Sequence, residues 1–226
     1  MFVQTIVCFA NSRKNGKRCV AGKTWARLGR SRWVRPVSRE ASGALSLDLL
    51  AYPDGAQPGL LDIVRVPLDG EHPQGHQREN ALTSDDYFWT KTGRLGWSGI
   101  DAFVDEPAQL WSLHGHGGAM FNNRVPQGRA AGPSLYLIRV AVLQLGLVHA
   151  PTPADPYRRV VAGEFDYHGV AYRLSVTDPK MEALCRLQPG RRIRIEQAVL
   201  CVSLGLVYMQ YHYKLIAGVL YEGRFS

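Results

Sequence analysis

Arg159-Val-Val-Ala-Gly-Glu-Phe-Asp-Tyr-His-Gly-Val-Ala-Tyr-Arg-Leu-Ser-Val-Thr-Asp-Pro179 is the stretch whose reading decides the fold. Two short runs, 159–165 and 170–176, are rich in β-branched and aromatic residues and flank Asp166-Tyr-His-Gly169, the pattern of a hairpin. Asp178 suits a helix N-cap and Pro179 the first helical position, so a short helix is expected through Leu187. Further strands are expected over 191–196, 198–204 and 213–221. One short helix among five strands is the content of a small β-barrel.

Working outward, the chain has 226 residues, of which 46% are hydrophobic and 20% charged, without a dominant low-complexity tract. That composition excludes a disordered or fibrous protein. The longest mostly apolar stretch, Ala198 to Met209, is too short to span a bilayer. No membrane association is expected, and residues 1–10 lack the pattern of a signal peptide, so the expected location is cytoplasmic. Cys8, Cys19, Cys185 and Cys201 lie far apart with no CxxC, which predicts reduced, mostly packed thiols.

Toward the N-terminus, Thr5 to Ala10 and Arg18 to Gly22 read as a strand pair around the polar turn 11–16. Arg32 to Ser38 alternates, so Trp33 and Arg35 share a face. Leu60 to Pro67 is a further strand, ending at its proline, and Leu135 to Leu143 is the most convincing core strand. Ser84 is placed as the cap of a short helix, and Ser112 to Gly132 as a long loop, either a lid or a binding loop. Three prolines in Pro151 to Pro156 mark the expected junction between a domain over 1–150 and one over 157–226. Strands are many, helices few, and no βαβ alternation occurs; the fold class expected is mainly β, two small barrel units with a few short helices.

Charge is concentrated. The net charge is +8, yet residues 1–39 carry ten Lys and Arg and no acid, while the other 187 residues carry 17 basic and 19 acidic side chains. A positive field of that kind suits a polyanion, because neutralising phosphates releases condensed counterions. A solvated basic face that keeps the protein soluble is the plainer reading.

Cys8-Phe-Ala-Asn-Ser-Arg-Lys-Asn-Gly-Lys-Arg-Cys-Val-Ala-Gly22 and Trp33-Val-Arg-Pro-Val-Ser38 resemble a prokaryotic family described as dual OB-containing domain proteins. The likeness continues through Leu61 to Leu68, His72-Pro, Gln77 to Asn80, Ser203-Leu-Gly and His212 to Ile216. This resemblance implies two oligonucleotide/oligosaccharide-binding-like barrels and a nucleic-acid or nucleotide-binding role in a genome-defence or mobile-element setting. It supplies no reaction and no catalytic residue.

The candidate binding residues follow from their chemistry. Asn11, Ser12, Arg13, Lys14, Lys17 and Arg18 offer amide, hydroxyl and cationic donors around a glycine that permits close approach to phosphate; the same residues also make an ordinary hairpin turn. Trp33 and Arg35, with Ser38 after them, read either as a stacking ring beside a cation or as a core tryptophan beside a solvent-facing arginine. Gln77, Glu79 and Asn80 can read a base or sugar edge, or tie down their own loop. Tyr213 and Lys214, with Tyr211, could add a second stacking and cationic surface, although alternation sends one side of that set into the core.

An enzymatic alternative gives Asp62, Glu79 and His72 acid/base roles on a nucleotide or nucleic acid. No catalytic residue is assigned from sequence, and no cofactor is expected. No metal is expected either: His114 and His116 lack a third ligand. Cys19, beside Arg18 and Lys17, reads as a buried structural thiol rather than a nucleophile. A basic face docking an acidic protein partner is the remaining option. Single-stranded DNA or RNA fits better than duplex, since no recognition-helix pattern is present.

Overall fold

A computed structural model describes residues 1–25, 30–112 and 120–225, and the chain divides into two units, Met1–Phe103 and Val104–Ser226. In the first, β1 (Phe2–Lys14) and β2 (Lys17–Thr24) form the expected hairpin, and β3 (Trp33–Val37) pairs antiparallel with β2. β4 (Asp62–Glu71) returns alongside β1. β5 (Asn80–Thr83) pairs antiparallel with β4 and parallel with β3, which closes a five-stranded barrel. β6 (Thr90–Arg94) adds to β4 outside that ring.

The second unit repeats this order. β7 (Arg124–Pro126) is an outer strand; the barrel proper is β8 (Leu135–His149), β9 (Arg159–Tyr167), β10 (Val170–Val176), β11 (Ile193–Tyr208) and β12 (Tyr211–Leu220). β8 pairs with both β9 and β11, β11 with β12, and β12 runs parallel to β10. Strand for strand, this is the connectivity of the first unit, and it is the Greek-key ring of an OB fold. The helix α1 (Pro179–Leu187) stands between the third and fourth strands of this barrel, where the first barrel has turns and one isolated bridge over 38–61. Both expectations for α1 hold: Asp178 Oδ1 accepts from Lys180 N at 3.1 Å, and Pro179 opens the helix.

Register explains how each core is filled. In the first barrel the Ile6–Val64 pair points inward, while the alternate set Val7, Lys23, Ile63 and Trp33 lies on the other face of the sheet. The second core is built from Leu143, Val161, Tyr172, Leu174, Leu200, Val202 and Ile216. Gly163 is needed where strands converge: a Cβ there would lie 2.5 Å from Ile216 Cδ1 and 3.0 Å from Leu143 Cδ1.

Several sequence expectations change. Pro151 to Pro156 does not separate the units, because it joins β8 to β9, neighbours in one barrel; β8 belongs to the second unit, and the division falls at Phe103/Val104. Proline density marks a loop, and here that loop is a hairpin connection. β4 does not stop at Pro67, which stays in register opposite Val3 and accepts from Ser84 N through its carbonyl. Ser84 opens no helix: the segment is pulled in by Trp89, fully buried, whose indole donates to Thr83 Oγ1 at 3.2 Å. The two short strands expected over 191–204 are one strand, β11, which continues through Gln197 despite its φ of +50°. Among the described residues no helix is long and apolar enough to cross a membrane.

Candidate nucleic-acid interface

OB barrels bind ligands on the outer face of their second and third strands, flanked by the loops joining strands 1–2 and 4–5. In the first unit those elements are β2, β3, the Asn15–Gly16 turn and the loop 72–79. Lys23 stands directly opposite Trp33, so both side chains lie on one face. The Lys23 ammonium sits 5.1 Å from the centre of the Trp33 ring and donates to Phe103 O at 2.7 Å. Phe9 meets Trp33 edge-on at 6.2 Å, and Phe103, from a 3-10 helix over Trp97–Phe103, packs on Phe9 at 5.3 Å.

Trp33 is therefore half-buried, its position fixed by an aromatic bed. Trp25 completes that bed from above, stacked on Phe103 at 6.1 Å with 14° between planes, and it is 43% exposed. Arg30 and Arg32 are exposed on the segment leading into β3, and Arg32 N donates to Thr24 Oγ1. Cations and an open indole thus gather where β2 gives way to β3.

Arg35 shares the Trp33 face but does not reach solvent. It is buried and ion-paired with Glu79 at 3.0 Å, and its backbone N–H donates to Glu79 O. Asn80, opposite Arg35 in the parallel register, is buried beside Gln77, whose Oε1 accepts from Asn80 Nδ2 at 3.4 Å. The structure brings Arg35, Gln77, Glu79 and Asn80 together, as structural partners of one another rather than as an open reading edge, while Trp33 packs with Lys23 and Phe9.

The 11–18 turn is elsewhere. Lys17 and Lys23 are six residues apart along β2, about 20 Å at the rise of a strand. Asn11 donates to Pro58 O at 2.8 Å and Ser12 to Cys19 O at 3.2 Å. Lys14 donates to Ser42 O at 2.5 Å, Lys17 pairs with Glu40, and the Arg18 backbone is bridged to Leu45. Arg13 is exposed. Ser38 is buried and donates to Ala44 O at 2.7 Å. These contacts make the turn a joint between the first hairpin and residues 38–58, and it does not share a cleft with Trp33.

The acid/base set is dispersed as well. Asp62 accepts from Tyr52 Oη at 3.2 Å and Gly59 N at 2.9 Å and pairs with Lys91 at 2.7 Å. Burial, and then the Asp62 charge, push the Tyr52 hydroxyl above its usual range, which keeps it a donor to that carboxylate. His72 is exposed just past the other end of β4, about 30 Å of strand from Asp62, so the two cannot serve one reacting atom. Cys19 is half-buried, and the other three thiols are buried. Among the described residues no group of three or more His, Cys, Asp and Glu could hold a metal; His114 and His116 lie outside those residues.

In the second unit alternation along β12 divides the sequence candidates. Tyr211 and Tyr213 face outward, half-buried, whereas His212 and Lys214 turn into the core. Lys214 is 1% exposed, donates to Ser112 O at 3.2 Å, and lies 5.3 Å from the centre of the Tyr172 ring. Burial pushes its ammonium down to about 8. It is a core residue and offers no surface charge.

Sequence reasoning passed over Trp25, Arg30 and Arg32 as individual candidates, although all three were visible in the basic segment. The missing signal was tertiary: Trp25 is oriented by its stack on Phe103, far along the chain. No curated protein and no solved structure matches the chain. Two Greek-key barrels of identical connectivity agree with the family comparison, in which the model described as Dual OB-containing domain matches residues 4–219, and the chain belongs to that family.

Proposed function

We propose that the protein binds single-stranded nucleic acid at the end of the first barrel where β2 passes into β3. The observation that carries this reading is the exposed Trp25, stacked on Phe103, with Arg30 and Arg32 exposed on the segment leading into β3 and the Arg32 backbone bonded to Thr24. An unpaired base stacks on an indole without regard to its identity, for about 1 to 3 kcal/mol, while arginines take the adjoining phosphates. Trp33, with Lys23 over its ring and Phe9 at its edge, is part of the support for this end of the barrel. A mononucleotide offers one base and one phosphate cluster to the same surface; a strand engages more of it and binds more tightly.

Titration of labelled single-stranded oligonucleotides at several salt concentrations tests the proposal. Trp25→Ala is expected to weaken binding by at least about fivefold. Arg30→Ala with Arg32→Ala should flatten the dependence of log affinity on log salt, by about 0.7 for each phosphate no longer neutralised. Arg13→Ala is expected to act weakly, since that side chain lies at the far end of β2. Affinity indifferent to both salt and Trp25 would sink the reading.

A further inference from the structure

The hairpin joining β11 to β12 carries a second aromatic and cationic surface outside the first barrel. Tyr208 and Tyr211 are directly opposite one another across the Met209–Gln210 turn, and Tyr213 follows on the same face, with the Tyr208 and Tyr213 rings 6.3 Å apart. Tyr208 is 63% exposed. β7 pairs with β12 so that Arg124 stands opposite Tyr213, and its guanidinium lies over the Tyr211 ring at 4.0 Å.

A stacked guanidinium keeps its N–H groups in a plane whose rim stays available for two parallel bonds to phosphate. The Arg124 side chain is half-buried, and its Nε is enclosed without a hydrogen bond, so the Nη groups are the part of the rim that meets a phosphate. Arg129 is exposed just beyond, after the turn in which its N–H donates to Pro126 O. The segments that build this surface, residues 120–135 and 197–221, contain no Asp or Glu, and among the described residues neither arginine is paired with a carboxylate. An acidic patch on a protein would match the arginines but leave the tyrosine faces without a planar partner. An unpaired nucleotide matches both.

We infer that Tyr208, Tyr211, Tyr213 and Arg124 form a second contact for single-stranded nucleic acid, with a base stacked on Tyr208 and a phosphate held by Arg124. This rests on the proposed function and extends it: each unit contributes its own stacking site.

The test uses the full chain with labelled dT and rU 20-mers, read by anisotropy across a salt series, with thermal unfolding to verify each variant. Tyr208→Ala is expected to weaken binding about fivefold and Tyr208→Trp to restore it; Arg124→Gln should lower the salt slope by about 0.7. Unchanged binding by Tyr208→Ala and Arg124→Gln, alongside weakened binding by Trp25→Ala, overturns this inference and leaves the first-barrel reading intact. Weakened binding by Tyr208→Ala with none by Trp25→Ala does the reverse. Failure of the parent protein to bind either 20-mer removes both. A change in oligomeric state on Tyr208→Ala at constant affinity identifies the hairpin as a self-association surface and also overturns the inference.

Discussion

Replacing Lys214 by methionine is expected to stabilise the protein near neutral pH and to lose that advantage in alkali. Lys214 is fully enclosed, and its ammonium titrates at about 8 rather than near 10.5. Between those values the unfolded chain binds a proton at this position that the folded chain has released, so stability rises with pH across that window. Below pH 8 both states are protonated, and the whole penalty is present: about 3 kcal/mol, at 1.36 kcal/mol for each pH unit between the two values. Methionine keeps the unbranched stem and removes the charge. It also strips Ser112 O of its donor, which costs about 1 kcal/mol. The expected net gain is about 2 kcal/mol at pH 7, changing to a small deficit by pH 10.5, where the neutral amine still donates to that carbonyl. Urea denaturation of parent and Lys214→Met from about pH 6.5 to about pH 10.5 reads the difference directly, and other titrating groups are shared and cancel. A difference between the two proteins that does not vary with pH would refute the assignment of a suppressed ammonium.

The remaining predictions concern how the second barrel is locked. Asp178 caps α1 and also accepts from Val219 N at 3.1 Å and from Arg224 at 2.7 Å. Asp178→Ala removes the cap and leaves a nearly buried guanidinium uncompensated, so unfolding free energy in urea titration is expected to fall by about 3 to 5 kcal/mol; Asp178→Asn keeps the cap and should fall by less. Gly163→Ala drives a methyl against Ile216 and Leu143, and a drop of about 1 to 3 kcal/mol in unfolding free energy is expected, with the same spectrum in the far ultraviolet.

Where local chemistry determines structure, the sequence was legible. Asp178-Pro179 specifies a helix start by hydrogen bonding and by a fixed φ, and both are found. The Asp166 to Gly169 turn joins strands whose register places Val170 opposite Tyr167. Ring closure is different in kind, because the parallel pairings of β3 with β5 and of β10 with β12 connect segments far apart in the chain. No periodicity encodes them, and β5, only four residues long, has too few alternations to be noticed. The Pro151 to Pro156 stretch misled for a related reason: proline reports the absence of ladder bonds, and says nothing about whether the strands on either side pair with each other.

The cationic first 39 residues show why a charge count along the chain differs from a charge in space. Lys17 finds Glu40, Arg35 finds Glu79, and Arg39 finds Asp69, each acid lying beyond the counted window. Three of the ten cations are thereby paired, and what survives toward solvent is set by topology, which leaves Arg30 and Arg32 exposed on the segment leading into β3. Exposed pairs such as Lys17 with Glu40 contribute little to stability, yet they still subtract from the potential that an approaching phosphate meets. The acid-free segments around Arg124 pass the spatial criterion that Lys17, Arg35 and Arg39 fail, because among the described residues Arg124 and Arg129 have no carboxylate partner. Arginine count predicts a polyanion site only after the ion pairs of the folded chain are removed from it. By that measure Arg124 and Arg129 beside the β11–β12 hairpin still count toward a ligand, whereas Lys17, Arg35 and Arg39 do not.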